Sequence, residues 1–441
     1  MKYLPQEITE KIIDNVAKYE DYLSRQDLRN LRLVNKNFSQ FATPPLFQTI
    51  PFWLGLRSLE HLTLISEHPQ ISQYVTKLVF SPLRFVKWKD PFSYQSSVRN
   101  RFERDTFSHN VFSLSFGKHV AAYKGYVEAQ DYLSKKSQDT KILLRALRHL
   151  PRLTNVTVVF NNEIIGAREI MSAFGLLNGN EVTLDSEYTL PVLIEALTES
   201  EREIDKFKLV SDERPSFVFF CMSRRTFNDS HETCFKYVSE HPKNATAKAF
   251  WNAFRGGNGT IRLKVIPLMR RLREFNMAGL KIDSDDVVGF HQWSSALEPV
   301  VAFSSRLEEL CICPYVIGTR GEDDSRLRLS AILHKSINFR SLQYLTLEHV
   351  ESPESLLVEL FTKCSCSLVY VTLIDVRIIS SGSWSDVFRK ARNADFKVLD
   401  GFVLLHCGEA KGDVHARDYL KRITDKDPIE ECNESQNDDS D

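Results

Sequence analysis

The sequence predicts a mixed protein of the α+β or α/β class, with three short N-terminal helices followed by alternating strands and helices. Three observations predict this order: amphipathic segments within residues 1–50, a spacing of apolar residues that recurs through the later chain, and helix-like stripes between those spacings. At 441 residues the chain has room for one small module plus an extended repeat domain, or for about three average domains.

The first helix is expected to begin at Leu4 or Pro5. Proline suits the first turn of a helix, where its missing N–H costs little, and Glu7 favours the positive N-terminal end. Aliphatic side chains then recur at helical spacing and share one face: Ile8, Ile12 and Val16. This helix should therefore have one wholly apolar face.

A second helix is indicated by the capping-box-like spacing of Ser24 and Asp27. Leu28, Leu31 and Val34 would share one face of this helix, whereas Leu33 would point nearly opposite. The second helix is therefore expected to be apolar on two sides.

A third, shorter helix is expected to carry Phe38 and Phe41 and to end at the Pro44–Pro45 pair. Three short helices cannot bury two-sided apolar surfaces among themselves, because domains this small have a marginal core. Part of the surface therefore needs a partner, either another protein or the rest of this chain.

The type and order of these residues resemble the F-box family, whose domain docks a protein onto the adaptor of a ubiquitin ligase. The residues that carry the resemblance are Leu4-Pro5, Glu7-Ile8, Ile12-Ile13, Val16, Leu28, Leu31, Leu33-Val34-Asn35, Phe38, Phe41 and Pro44-Pro45-Leu46-Phe47.

The resemblance implies a substrate-receptor subunit of a Skp–cullin–F-box ubiquitin ligase, which binds the Skp-type adaptor and, through it, the cullin, and recruits a target protein with a second domain. The residues expected to contact the adaptor are Leu4, Pro5, Ile8, Ile12, Leu28, Leu31, Val34 and Phe38. Some of them must instead hold the helices together. Two alternatives stay open: an F-box scaffold that acts outside a ligase, and an α/β enzyme assembled from distant residues.

After the N-terminal helices, apolar residues recur at offsets of 0, 3, 5 and 8. This frame is typical of the strand of a leucine-rich repeat, where alternate residues enter a common core. The clearest frames are Leu272-Phe275-Met277-Leu280, Leu307-Leu310-Ile312-Tyr315, Leu342-Leu345-Leu347-Val350, Leu368-Val371-Leu373-Val376 and Leu399-Phe402-Leu404-Cys407. Weaker frames begin at Val75, Leu153 and Ile204.

Helix-like spacing fills the intervals between the frames, at residues 292–303, 327–339, 354–364 and 385–392. Strand and helix therefore alternate, as in an irregular leucine-rich-repeat solenoid. The alternative is an α/β domain with a parallel sheet and no true repeat.

Residues 84–151 are expected to contain two helices. Tyr123, Tyr126, Gln130 and Leu133 lie near one face of the first, and Leu143, Leu144, Leu147 and Leu150 form a stripe on the second. A Leu-Pro-x-Leu-x-x-Val strand entry follows. This order resembles fungal F-box proteins with poorly conforming leucine-rich repeats.

The expected parts are an F-box (1–50), a helical linker with the first repeat elements (51–152), an irregular leucine-rich-repeat-like domain (153–423) and a disordered acidic tail (424–441).

Charge and hydropathy limit the partners. With 57 basic and 58 acidic residues, neither nucleic acid nor membrane is expected as a partner. The sequence has no signal-peptide-like N-terminus, and its densest apolar stretch, residues 217–222, is too short to span a bilayer. A cytoplasmic or nuclear protein with reduced cysteines is therefore expected.

The sequence has no phosphate-binding Walker loop and no Gly-x-Ser-x-Gly nucleophile elbow. We therefore predict that the protein is not an enzyme and has no catalytic or cofactor-binding residue. Two cysteine pairs, 311/313 and 364/366, suggest zinc half-sites, but ordinary thiols are the expected reading. His231-Glu232 with Cys234 lacks the second histidine of a zincin helix, and no metal site is predicted.

Two further features bear on binding. The arginines at 270, 271 and 273 are expected to form a solvated helix end. Target binding is expected at exposed positions of the strand frames and at the Gly256–Gly259 loop, which ends a strand and helical insertion in residues 210–260.

Overall fold

The computed structural model describes residues 4–18, 22–85, 109–160, 182–184, 186–210, 265–283, 297–298, 301–317, 326–333, 339–379, 382–408 and 413–432. These residues fall into two compact units, which divide between Arg202 and Glu203. Strands and helices alternate in both units, and the strands are mostly parallel, so the fold is of the mixed α/β class. None of the helices in these ranges has the length and apolarity that crossing a bilayer requires.

Unit 1 begins with the three expected helices, α1 (Gln6–Ala17), α2 (Tyr22–Leu31) and α3 (Lys36–Gln48). Their shared core consists of Ile13, Leu28, Phe38, Ala42 and Leu46. The side chain of Asn35 caps α3 by accepting a hydrogen bond from the Phe38 N–H at 3.0 Å. Each helix therefore contributes an apolar face to one small core.

The Pro44–Pro45 pair does not end the third helix, contrary to the sequence prediction. Both prolines lie inside α3, which continues to Gln48. The helix persists because Ala42 and Leu46, on either side of the prolines, are buried in the core, and packing outweighs the hydrogen bonds that the prolines cannot donate.

The rest of unit 1 combines strands with four further helices. The strands are β1 (Thr49–Trp53), β2 (Lys77–Ser81), β3 (Leu83–Phe85), β4 (Asn155–Val159) and β5 (Val182–Leu184). The helices are α4 (Leu56–Glu67), α5 (His109–Ser134), α6 (Gln138–Arg148) and α7 (Ser186–Glu199). Strands β1, β2 and β4 are parallel neighbours, whereas β3 and β5 pair antiparallel. The expected boundary at residue 152 therefore lies inside a compact unit.

Unit 2 contains strands β6 (Lys206–Val210), β7 (Glu274–Asp283), β8 (Glu309–Ile317), β9 (Leu327–Arg328), β10 (Tyr344–Glu348), β11 (Val350–Pro353), β12 (Tyr370–Ile374), β13 (Arg377–Ile379), β14 (Gly401–Leu405) and β15 (Val414–His415). Its helices are α8 (Ile266–Arg271), α9 (Leu329–Ile332), α10 (Glu354–Cys364), α11 (Trp384–Ala391) and α12 (Arg417–Leu420). The main sheet has the order β6-β7-β8-β10-β12-β14-β15, parallel except for β15, and β9-β11-β13 form a second small parallel sheet.

The predicted frames meet in register across the main sheet. Phe275, Leu310, Leu345, Val371 and Phe402 form one row of register partners, and Met277, Ile312, Leu347, Leu373 and Leu404 form the next. All are buried. The carbonyl before one strand also accepts two N–H groups at the start of the next strand of the sheet, as the Gln343 carbonyl does from Val369 and Tyr370. Residues at the same offset in different frames therefore have similar environments.

Helices α10 and α11 cover the buried rows of this sheet. The rings of Phe361 and Phe388 contact Phe402 edge-on, with centroids at 5.1 and 5.5 Å. Both helices lie where the sequence predicts them. The predicted helix at 327–339 is different, because it begins with the two-residue strand β9, whose backbone pairs with β11 before the short helix α9 starts.

The predicted disordered tail starts too early. Residues 428–432 are helical, Ile429 is buried, and its N–H donates to the Asp427 carboxylate at 2.9 Å. Burial of Pro428 and Ile429, with hydrogen bonds from Arg392 to Thr424 and Asp425, keeps this segment packed despite its acidic composition. Residues 433–441 lie outside the described ranges.

Candidate functional site

The eight residues predicted to contact an adaptor differ in burial. Leu28 and Phe38 are only 3% and 8% exposed, since both belong to the core of the three helices. Ile12 and Leu31 are half-buried and pack against the same core. Leu28 and Phe38 are therefore among the residues that hold the helices together, as was expected of some of the eight.

The other four predicted residues are exposed. Leu4 and Ile8 lie one helical turn apart at the start of α1, with Pro5 between them as the N-cap. Val34 is 61% exposed and the neighbouring Leu33 is 86% exposed. The N-terminal helices thus present apolar side chains at two places, the start of α1 and the turn after α2.

Val34 is exposed because it lies beyond the end of α2, whereas helical periodicity placed it on one face with Leu28. Helix α2 ends at Leu31, and the Leu33 and Val34 N–H groups close a turn on the carbonyls of Asn30 and Leu31. Val34 therefore does not share a face with Leu28. The signal for this ending was Asn35, whose side chain starts the next helix.

The second candidate surface is the face of the main sheet in unit 2 opposite its buried rows. The residue at offset 2 of each frame lies there, and these residues form one row across the strands: Lys206, Glu274, Glu309, Tyr344, Tyr370 and Gly401. The row changes from charged to aromatic along the sheet. It could be predicted from the common frame position of its members, a signal that the sequence analysis did not use.

Tyr344 and Tyr370 form an exposed aromatic pair within this row. Their rings are stacked, with centroids 6.5 Å apart and planes 7° apart, and they are 44% and 47% exposed. Glycine at 401 gives the Tyr370 ring its space, since a Cβ there would lie 2.4 Å from Tyr370 Cε1. Each ring is therefore held by its neighbour and leaves a large apolar area open.

At the charged end of the row, two lysines bind one carboxylate. Glu274 is buried and forms ion pairs with Lys206, at 2.7 Å, and with Lys208. Burial raises the pKa of Glu274, but the hydrogen bonds and charges of the two lysines outweigh it, and the net pKa lies below the usual glutamate value. Burial and the charge of Glu274 raise the pKa of the adjacent Glu309.

A polar cluster lies where the strands of unit 2 end. His349 Nδ1 is 2.7 Å from Asp375 Oδ2, and Arg326 donates to the same carboxylate at 2.5 Å. His349, Asp375 and His406 occupy one frame position and all have positive φ, between 49° and 56°. The contact between His349 and Asp375 therefore joins the strained turns that follow two neighbouring strands.

A cysteine also lies close to this cluster, because Glu348 is beside both His349 and Cys313. A cysteine near a histidine is the arrangement of some catalytic sites. A nucleophilic cysteine must be a thiolate. The neighbouring Cys311 thiol, 3.4 Å away, and burial raise the pKa of Cys313. This environment keeps the Cys313 thiol protonated and favours a structural role for the cluster.

Unit 1 contains a buried polar network at the junction of β3, α5, α6 and α7. Asp139 accepts hydrogen bonds from the Tyr188 hydroxyl at 2.5 Å and from the Thr140 N–H at 2.8 Å. The Arg84 guanidinium lies 3.9 Å from the centre of the Tyr188 ring and donates to the Ser134 hydroxyl of α5 at 3.1 Å. Burial and the bond to Asp139 raise the pKa of Tyr188. These bonds tie the four elements together.

The remaining sequence motifs are placed as follows. In the described ranges no group of three or more histidine, cysteine, aspartate or glutamate side chains is arranged to hold a metal ion. Cys364 is buried at the end of α10 and Cys366 is exposed. Arg270 and Arg271 end α8, and Arg273 pairs with Glu308 at 3.3 Å. The His231-Glu232 motif and the Gly256–Gly259 loop lie outside the described residues.

The chain matches no protein-family model, and it matches none of the curated proteins.

Proposed function

We propose that this protein is a substrate-receptor subunit of a Skp–cullin–F-box ubiquitin ligase. Its N-terminal helices bind the Skp-type adaptor, and its unit 2 recruits the target protein. The protein performs no bond chemistry; it holds the target beside the ubiquitin-charged enzyme and so raises the local concentration of the reacting groups.

The observation that carries the adaptor proposal is the exposure of apolar side chains on α1 and after α2. Of the ten large hydrophobic side chains that are exposed in the described ranges, four belong to this short segment: Leu4, Ile8, Leu33 and Val34. Exposed apolar side chains concentrated in one short segment are typical of interaction sites in proteins. All four are among the residues that carry the F-box resemblance.

The proposal for unit 2 is an irregular leucine-rich-repeat domain. Frames at Leu307, Leu342, Leu368 and Leu399 align on neighbouring parallel strands, and their strand entries share one hydrogen-bonding pattern. Nearest-neighbour stacking of this kind is typical of repeat proteins, whose extended faces bind other proteins. This architecture supports a recruitment role.

Co-purification of the full chain with a Skp-type adaptor tests the proposal. The native chain should bind stoichiometrically, and a Leu4→Ala, Pro5→Ala, Ile8→Ala variant should lose the adaptor, because the three side chains are exposed and leave the helix core intact. Circular dichroism must show that the variant is folded. A matched control replaces Val398 and Ile423, which are also exposed and apolar but lie in unit 2.

Absence of adaptor in the native preparation would contradict the proposal. Adaptor binding without any effect on the turnover of a bound target would instead indicate a scaffold that acts outside a ligase.

A further inference from the structure

The Tyr344–Tyr370 pair is arranged as a binding surface. The two rings stack across neighbouring parallel strands and lie on the face of the sheet that α10 and α11 do not cover. Their register is fixed by the buried residues beside them, Leu345 and Val371. Binding a ligand here would order few additional groups, because the rings are already held in place.

A carboxylate lies next to this pair. Glu309 is the register partner of Tyr344 on β8, and neighbouring strands are about 4.8 Å apart. Glu309 points to the same face as Tyr344, since Leu310 and Ile312 enter the core. Among the described residues, no lysine or arginine lies within ion-pair distance of Glu309, whereas Glu274 on the next strand has two lysines.

We propose that Tyr344, Tyr370 and Glu309 form a binding site for an arginine side chain in a basic segment of the target protein. A guanidinium group stacks on aromatic faces and donates two parallel hydrogen bonds to a carboxylate, so one arginine can satisfy both features of the site. The inference rests on the proposed recruitment role and specifies the chemistry of the recruited partner.

Charge also disfavours the opposite class of ligand. Glu348 lies on β10 two strand positions beyond Thr346 and shares the open face with Tyr344 and Glu309. An acidic peptide or a nucleic acid would bring its negative charges against these carboxylates, and like charges cost free energy at a binding surface.

An arginine-rich peptide is the probe, and its counterpart with citrulline at every arginine is the control, because citrulline keeps the shape of arginine and removes its charge. Titration of each peptide into the full chain, followed by calorimetry, should show binding of the arginine peptide and at least about tenfold weaker binding of the citrulline peptide.

Three substitutions locate the site. Tyr344→Ala and Tyr370→Ala should each weaken binding of the arginine peptide by about three- to tenfold, through loss of one cation–π contact. Glu309→Gln should weaken it by about tenfold through loss of the charge-assisted hydrogen bonds. Tyr132→Ala, at an exposed tyrosine of α5, is the matched control and should leave binding unchanged.

Equal affinity for the two peptides would overturn the proposal, and so would unchanged binding by the Tyr344 and Glu309 variants. No adaptor is present in this titration. A negative result here with positive adaptor co-purification would therefore reject the arginine site alone, while the reverse pair of results would reject the ligase role alone.

Discussion

At the residue scale, two glutamates in one row show how neighbours decide the effect of a charge. Glu274 and Glu309 occupy the same frame position on adjacent strands. The lysines at 206 and 208 stabilise the charged form of Glu274, whereas burial and Glu274 itself destabilise the charged form of Glu309. The two carboxylates should therefore affect stability in opposite directions.

We predict that Glu274→Gln destabilises the protein by about 1 to 3 kcal/mol at neutral pH, because hydrogen bonds between charged groups are lost. The pKa of Glu274 is lowered in the folded state. Its stabilisation is therefore present above the usual glutamate pKa of about 4.3 and is lost as the pH falls through the folded pKa. Urea midpoints at several pH values should show the variant and the native protein converging in acid.

The Glu309→Gln variant should change stability in the opposite direction. The pKa of Glu309 is raised in the folded state, so its charged form costs stability above that pKa, and the cost disappears as the pH falls through it. The variant should be more stable than the native protein at neutral pH, by about 0.5 kcal/mol. Equal destabilisation by both variants would contradict this account of the row.

Exposure of single residues was only partly predictable. Helical periodicity placed Ile8 on one face with Ile12 and Val16 but did not distinguish the exposed Ile8 from the other two, which pack on the core. The exposure of Val34 required knowing where α2 ends. Leu33 was placed opposite the apolar face by a helical wheel that no longer applies after Leu31. Asn35 caps α3 just after this turn, and capping depends on a side-chain hydrogen bond that periodicity does not report.

At the element scale, the strand frames of unit 2 have one buried and one open side. On β10, Leu345 and Leu347 are buried, while Thr346 lies between them on the open face. Register pairing extends this alternation to β8 and β12. The buried side of the sheet should therefore contribute most of the stability of unit 2.

We predict that Leu345→Ala destabilises unit 2 by about 2 to 5 kcal/mol, because it leaves a cavity between β10 and its covering elements. The adjacent Thr346→Ala is the matched control on the opposite face and should change stability by less than about 1 kcal/mol. Urea unfolding followed by circular dichroism measures both. Similar losses in the two variants would contradict the assignment of buried and open faces.

Strand frames were more predictable than the elements between them. Alternating burial in a parallel sheet imposes a strict period, so the frames at 342, 368 and 399 could be placed by residue. The strand at β9 depends on pairing with a distant segment, β11, and α3 continues through two prolines because its flanks are buried. Both outcomes are tertiary effects that local sequence does not contain.

At the scale of the whole molecule, we propose that unit 1 binds the adaptor and that unit 2 binds the target. Four exposed apolar residues support the first assignment, and an ordered, partly aromatic sheet face supports the second. The mixed α/β class followed from the alternation of frames and stripes. The division into two compact units between Arg202 and Glu203 did not, because frames continue on both sides of it.

The affinity of the full chain for a purified Skp-type adaptor tests the central claim most directly. Native protein should bind, Ile8→Ala and Leu33→Ala should each bind at least about tenfold more weakly, and Leu64→Ala, at an exposed leucine of α4, should bind like the native protein. Calorimetry gives the three ratios. No binding by the native chain, or equal losses at Leu64 and Ile8, would contradict adaptor docking through the N-terminal helices.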